Sequence, residues 1–336
     1  MESTHTSVVV VGAGIFARHH VDIMLGMGDA VRIAGFVEPA PASREAMARH
    51  LAERGRAGPH PPFYDTLDGF LADAQNRADC AVVATPHNLH APQAVACMRA
   101  GMDVLVEKPM VLDVAEARRV IRARDETGRL LSVAIPGGYS PAIRKAKELI
   151  AAGVIGEVRS VSAVLVEPWT TRTGGTWRQD AAISGGGFLF DSGSHALNTM
   201  VELAGAADAR TDALHVFQDN RGTPVEVLTL LSGRFANGVY FSLSAEGGGS
   251  NYFNRITATG SAGLLHTDSW GTRLGLSKVG EWGENPVEFT PSDGVFRHFM
   301  RVRDGKAENP CPAEVGLRCA KFLDKIRETA GNTPQP

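Results

Sequence analysis

The sequence predicts a two-domain chain: an α/β domain on a parallel sheet, then an α+β domain on a largely antiparallel open sheet. Three observations carry that prediction. At 336 residues the chain exceeds the usual size of one compact domain. Between residues 7 and 133, short apolar runs alternate with helix-length segments, the pattern of parallel strands joined by right-handed crossovers. After Pro136-Gly137-Gly138 the alternation gives way to strands separated by turn signals. The expected division is therefore 1–133 and 134–336.

Taken in order, Ser7–Val11 is a β-rich run followed by a helix from about Gly14 to Met27. A second strand, Val31–Val37, ends at Glu38, and a helix follows over Ala42–Arg54. Gly, Pro and His cluster in Gly55–Pro62, which marks a loop. Strands Cys80–Ala84 and Val104–Val106 flank the helix Ala91–Arg99, which Gly101 closes. Asp113 is a candidate N-cap for a helix reaching Thr127, Gly128 ends it, and Leu130–Ile135 is the next strand. In the second half, a helix over Ala142–Ala151 precedes the alternating strand Val158–Val166. A helix from His195 to Leu203 follows. Residues 213–266 then form successive strands with turns at Asn220-Arg221-Gly222, Ala236-Asn237-Gly238 and Gly247–Gly249. Helices over Phe296–Arg303 and Ala313–Thr329 finish the chain, and there is no internal repeat.

A formal charge of −3 spread over 336 residues offers no polycation for nucleic acid or an anionic membrane. No apolar stretch approaches the roughly 20 residues that span a bilayer. Met1–Ser7 lacks the basic-then-apolar pattern of a secretory signal. Cys80, Cys97, Cys311 and Cys319 contain no Cys-x-x-Cys pair and read as reduced thiols, so a cytoplasmic protein is expected.

Gly12-Ala13-Gly14-Ile15-Phe16-Ala17 matches G-x-G-x-x-A between a strand and a helix, the context of a dinucleotide turn. Gly12 permits the tight turn, Gly14 lets the backbone approach a pyrophosphate, and the helix N-terminus beyond it, with Ile15 and Phe16, supplies N–H donors. Glu38, closing the second strand, can accept both ribose hydroxyls and would repel a 2′-phosphate, which favours NAD over NADP. Thr85-Pro86-His87-Asn88-Leu89-His90 follows a strand at the same sheet edge, placing Thr85, Pro86, Asn88 and His90 as candidates near the nicotinamide ribose. A turn capping the next helix accounts for part of that segment.

The chemistry centres on Glu107-Lys108-Pro109, after the apolar run Val104-Leu105-Val106 and at the edge where open parallel sheets collect ligands. A lysine there, beside a nicotinamide, is suited to proton transfer. A second cluster, Gly185-Gly186-Gly187 through Asp191-Ser192-Gly193-Ser194-His195, sets a carboxylate and an imidazole four residues apart, on one side of a helical turn. His195 can then exchange a proton with Asp191 orienting it; an N-cap aspartate with a core histidine is the competing account. The glycines allow close backbone approach to a ligand. No third ligand stands at metal-site spacing, and there is no G-x-S-x-G elbow.

These segments, with Pro141-Ala142…Gly153…Gly156-Glu157-Val158 and Trp177-Arg178, resemble the Gfo/Idh/MocA family of glucose-fructose oxidoreductase, inositol dehydrogenase and their relatives. The resemblance covers nearly the whole chain. It implies a Rossmann domain and an α+β domain whose open sheet forms the interface of a homo-oligomer, a dimer or tetramer. It also implies NAD(P)-dependent hydride transfer at a sugar or polyol carbon. By position, Lys108, Asp191 and His195 match the catalytic trio, Pro109 follows a cis peptide bond, and Arg178 reaches the cofactor. Asn198 stands where relatives often carry an acid, and Gly137-Gly138-Tyr139 where many carry an arginine. Tyr139, Trp177 and Asn198 thus join the trio as substrate-facing candidates. Two other activities stay open: a redox-neutral glycosidase that retains NAD, and a non-catalytic NAD- and sugar-binding regulator.

Overall fold

A computed structural model describes residues 5–55 and 60–331. The start of the expected polar lead, residues 56–59 of the expected loop, and residues 332–336 fall outside the described residues. The chain divides into two compact units. The first comprises Met1–Val111, Ala115–Ala134 and Asp293–Glu314; the second comprises Leu112–Val114, Ile135–Ser292 and Val315–Pro336. The sequence assigned 293–314 to the C-terminal half. Phe296, Phe299 and Met300 instead join a core with Val8, Val10, Val21 and Met24, because the apolar face of that late helix is buried against the first unit.

In the first unit the order is β1 (Thr6–Val11), α1 (Ile15–Leu25), β2 (Val31–Val37), α2 (Pro41–Glu53), β3 (Phe63–Tyr64) and α3 (Leu67–Ala72). There follow β4 (Cys80–Val83), α4 (His90–Arg99), β5 (Asp103–Glu107), α5 (Val114–Thr127) and β6 (Leu131–Ala134). The sheet runs β3-β2-β1-β4-β5-β6, with every pairing parallel. Val8–Val11, Cys80–Val83 and Val104–Val106 are fully buried, as expected of strands covered on both faces. The order reverses between β1 and β4, so the carboxyl ends of these neighbours flank the switch point where such sheets bind ligands. The sequence showed neither β3 nor α3. Two residues give no periodicity, and the six-residue α3 is held by its Thr66 cap, whose hydroxyl accepts from the Gly69 N–H at 3.0 Å.

The second unit starts with α6 (Pro136–Tyr139), a turn the sequence did not show, and α7 (Pro141–Ala151), capped by the Ser140 hydroxyl. Next come β7 (Val158–Val166), α8 (Trp169–Thr173), α9 (Ala181–Ser184) and α10 (Ser194–Leu203). Six strands follow closely: β8 (Thr211–Asp219), β9 (Leu228–Phe235), β10 (Tyr240–Glu246), β11 (Phe253–Gly260), β12 (Gly263–Thr267) and β13 (Leu274–Lys278). The edge strand β14 (Asn285–Pro286), α11 (Val295–Arg303) in the first unit, and α12 (Ala313–Gly331) complete the chain. The sheet order is β14-β13-β12-β11-β7-β10-β9-β8, antiparallel except where β10 pairs with β7. Val161, Ala163 and Leu165 of β7 face a core shared with Leu197, Met200, Val201, Phe322 and Ile326 of α10 and α12. Alternate residues point the other way, leaving Val164, Phe217, Leu230, Tyr240 and Phe253 each at least 40% exposed.

Candidate active site

The carboxyl edge of the parallel sheet is built from the ends of β1, β2, β4 and β5. After β1, Gly12 has φ +98°, and a Cβ there would lie 2.5 Å from the Ala84 carbonyl oxygen at the end of β4. Only glycine fits that close approach. Gly14 is the N-cap of α1, where a Cβ would meet no protein atom within 4 Å and no side chain caps the helix. Ile15 and Phe16, just beyond, are 73% and 45% exposed. An uncapped helix N-terminus with clear space at its glycine fits a dinucleotide pyrophosphate. Glu38, past β2, accepts N–H bonds from Ala13 at 3.0 Å and from Ala40 at 2.9 Å, which aims its carboxylate beside the turn. Arg44 is engaged with Asp65 and the Glu38 carbonyl.

Past β4, Thr85 donates to Gln93 Oε1 at 2.6 Å, and Pro86 leads a 3₁₀ turn over His87–Leu89. Asn88 Oδ1 is buried without a hydrogen-bond partner among the described residues, an acceptor suited to a ligand donor. His90 is different. Its ring is 1% exposed, with Nδ1 2.8 Å from the Pro109 carbonyl and Nε2 2.8 Å from the Thr85 carbonyl. Both partners accept, so a neutral ring donates to one at a time. Burial pushes its pKa below the usual value, against the pull of the two carbonyls. His90 therefore braces the loop rather than facing a cofactor.

Past β5, Lys108 is 7% exposed and the Lys108-Pro109 peptide is cis, as the resemblance implies. Glu107 folds back: Oε1 lies 2.8 Å from His20 Nε2, and Oε2 accepts the Lys108 N–H at 3.2 Å. Burial raises the Glu107 pKa, but the His20 bond and charge together with the Lys108 charge outweigh it and hold the group below the ordinary carboxylate range. Both oxygens of this carboxylate, the cofactor candidate at the strand end, thus have partners within the protein. His20 was not singled out from the sequence. A histidine on the buried stripe Ala17, His20, Val21, Met24 was the available signal.

In the second unit, Asp191 and His195 lie in one helical run, a widened π turn over Leu189–Gly193 that continues as α10. Asp191 is inside the run rather than its cap. Its Oδ2 accepts from Trp169 Nε1 at 2.8 Å and from Arg178 Nε at 3.1 Å. Arg178 also stacks over the Trp177 ring, its guanidinium carbon 4.4 Å from the centroid. His195, 8% exposed, meets the Trp270 ring edge-on at 6.0 Å. Tyr139 is 5% exposed. Asn198, 2% exposed, accepts from Arg318 Nη2 at 2.8 Å and is an internal partner in this structure. Trp169, Trp270 and Arg318 had no signal in local spacing. The glycine run also has another cause: a Cβ on Gly187 would sit 2.0 Å from the Glu226 carbonyl oxygen, so protein packing excludes it. Among the described residues no three His, Cys, Asp or Glu groups could hold a metal ion.

A doubly wound parallel sheet with a glycine turn at its switch point, followed by an α+β unit with a mostly antiparallel sheet, defines a two-domain dinucleotide-binding architecture. Residues 6–135 match the oxidoreductase family model with an NAD-binding Rossmann fold, and residues 143–266 match the GFO/IDH/MocA C-terminal domain. The chain belongs to the Gfo/Idh/MocA family of oxidoreductases.

It is 34% identical over 134 residues to a D-xylose 1-dehydrogenase [NADP(+)] of Haloarcula marismortui, covering 39% of this chain and 36% of that one. It is 26% identical over 277 residues to a scyllo-inositol 2-dehydrogenase (NADP(+)) of Bacillus subtilis, covering 75% and 76%. Two of its curated relatives are matched over only 36–37% of their own length. The fold is shared with the WlbA dehydrogenase of Bordetella pertussis, solved with NADH and UDP-GlcNAcA, at a TM-score of 0.82, 22% identity and 99% coverage of both chains.

Proposed function

We propose that this protein is an NAD-dependent dehydrogenase that exchanges a hydride between nicotinamide and a secondary hydroxyl or ketone of a sugar, inositol or related polyol. The observation that carries the reading is a buried lysine at the carboxyl end of β5, on the sheet edge that also carries the uncapped glycine turn. The nicotinamide supplies a hydride acceptor or donor. Lys108 polarises the substrate oxygen and lowers the pKa of its hydroxyl. His195 accepts the hydroxyl proton, and Asp191 orients the reacting groups. The substrate loses one hydride and one proton and becomes a ketone; the reverse reaction returns both. The names of the xylose and inositol relatives support the substrate class.

Glu38 supports NAD, because its carboxylate would repel a 2′-phosphate and the nearby Arg44 is committed to Asp65. The xylose and inositol relatives are named for NADP(+), so on this reading the chain differs from them in cofactor. The exposed apolar residues on the outer face of the second sheet support a homo-oligomer formed through that sheet. Four free cysteines, with Cys80 and Cys97 held by burial at a pKa of about 12, suit a cytoplasmic setting.

The test is NADH absorbance when the protein and excess NAD meet inositols, aldoses, anhydrosugars and simple glycosides. A signal with a free sugar or polyol is expected. NAD that co-purifies, with glycoside cleavage but no net NADH, would replace the reading with a retained-cofactor glycosidase; NAD and sugar binding with no turnover would leave a regulator.

A further inference from the structure

His20 is a buried titratable group that the proposed chemistry does not use. It is 2% exposed, lies in the middle of α1, and its Nδ1 has no hydrogen-bond partner among the described residues. A leucine or methionine would fill the same stripe without stranding a ring nitrogen in the core. What the ring does supply is Nε2, 2.8 Å from Glu107 Oε1. Without it, Glu107, whose side chain is 13% exposed, would lose its side-chain ion-pair partner, an expensive arrangement for a carboxylate. The other oxygen of Glu107 accepts the Lys108 N–H at 3.2 Å. Helix α1 is therefore tied to the peptide that carries Lys108 by the His20–Glu107 pair. On the far side of the same tripeptide, His90 lies 2.8 Å from the Pro109 carbonyl.

We propose that His20 is a positioning residue: through Glu107 it fixes the backbone from which the Lys108 amine projects, and so couples the helix that opens at the glycine turn to the placement of that amine. The inference rests on the catalytic assignment of Lys108 made above. His20 touches neither substrate nor cofactor in this role, so cofactor affinity and lysine placement should separate when it is altered.

The experiment is competitive labelling of lysines with acetic anhydride, read by peptide mass spectrometry, with the half-exposed Lys145 as internal reference. Lys108 reactivity relative to Lys145 is expected to shift by about fivefold or more in His20→Ala, with a shift of the same sign in Glu107→Gln. His20→Gln retains an N–H donor of similar reach and should return Lys108 to within about twofold of the natural protein. The double variant His20→Ala/Glu107→Gln should shift no further than either single one. NADH affinity, measured by fluorescence, is expected to stay within about twofold in all of them. Where the panel yields a substrate, kcat should fall by about tenfold or more in His20→Ala with KM for NAD unchanged, and recover in His20→Gln.

Lys108 reactivity within about twofold of the natural protein in folded His20→Ala overturns the proposal. If that variant does not fold, His20→Leu, which fills the same apolar stripe without a ring nitrogen, decides by the same criterion. A panel silent with the natural protein would instead sink the dehydrogenase reading, while the labelling result would still decide the positioning role.

Discussion

Lys108 and Asp191 are both buried charged groups, one in each unit, and they are held by opposite means. Lys108, 7% exposed, follows a strand, and its backbone N–H donates to the adjacent carboxylate of Glu107, itself within hydrogen-bond distance of His20. Asp191, 5% exposed, sits in a widened helical turn and is aimed by two donors, the Trp169 indole and the Arg178 guanidinium. At the lysine end one carboxylate links the His20 ring to the Lys108 backbone, so removing the histidine takes a partner from that carboxylate. The aspartate end joins an ion pair with Arg178 to a hydrogen bond from the Trp169 indole, and losing one of these leaves the other. The first arrangement should respond more steeply to mutation than the second.

The largest expected effect breaks the comparison at its source. Lys108→Ala should lower turnover by about 10²–10⁴-fold while NADH binding, followed by fluorescence, stays nearly intact. Comparable turnover in that variant would remove Lys108 from the chemistry. Next comes the glycine turn beside it. Gly12→Ala forces a Cβ against the Ala84 carbonyl at a positive φ and should cost roughly 1–3 kcal/mol in thermal or denaturant unfolding, with weaker NADH binding.

The fan of donors is tested by Trp169→Phe, which keeps a ring but removes one hydrogen bond to Asp191. A loss of about 1–2 kcal/mol in stability, with Arg178 still holding the carboxylate, is expected from unfolding curves. A collapse as large as that of a broken ion pair would make the two ends alike. Glu38→Ser should move the ratio of NAD to NADP efficiency by about tenfold toward NADP. No movement would leave cofactor choice to other groups.

The smallest effect is in pH. Glu107 titrates lower in the folded protein than in the unfolded chain, so it binds fewer protons when folded at mildly acid pH. Its stabilising contribution is present above the unfolded carboxylate value and is lost as pH falls through the folded one. The stability gap between the natural protein and Glu107→Gln should therefore be widest above about pH 5 and close progressively below it, as followed by denaturant midpoints.

Much of the first unit was legible because parallel sheets are written locally. Buried strands such as Val8–Val11 and Val104–Val106 are continuous apolar runs, and Gly12 to Ala17 carries its own context on both sides. Less of the second unit could be read. Its long alternating strand, Val158–Val166, appears with the same bounds in the structure, and the helix expected from His195 begins at Ser194. Short pieces such as α8 and α9 show no period, because packing rather than propensity holds them.

The sequence by itself determined the fold class, the glycine turn, and Lys108 at a strand end, because each depends on residues close together in the chain. Only the tertiary structure decided who holds the charged groups. His20 reaches Glu107 across 87 residues, Arg318 reaches Asn198 across 120, and α11 packs into the first unit's core. Hydrogen bonds and apolar burial act over a few ångströms in space, and local spacing carries no record of which distant side chain will arrive there.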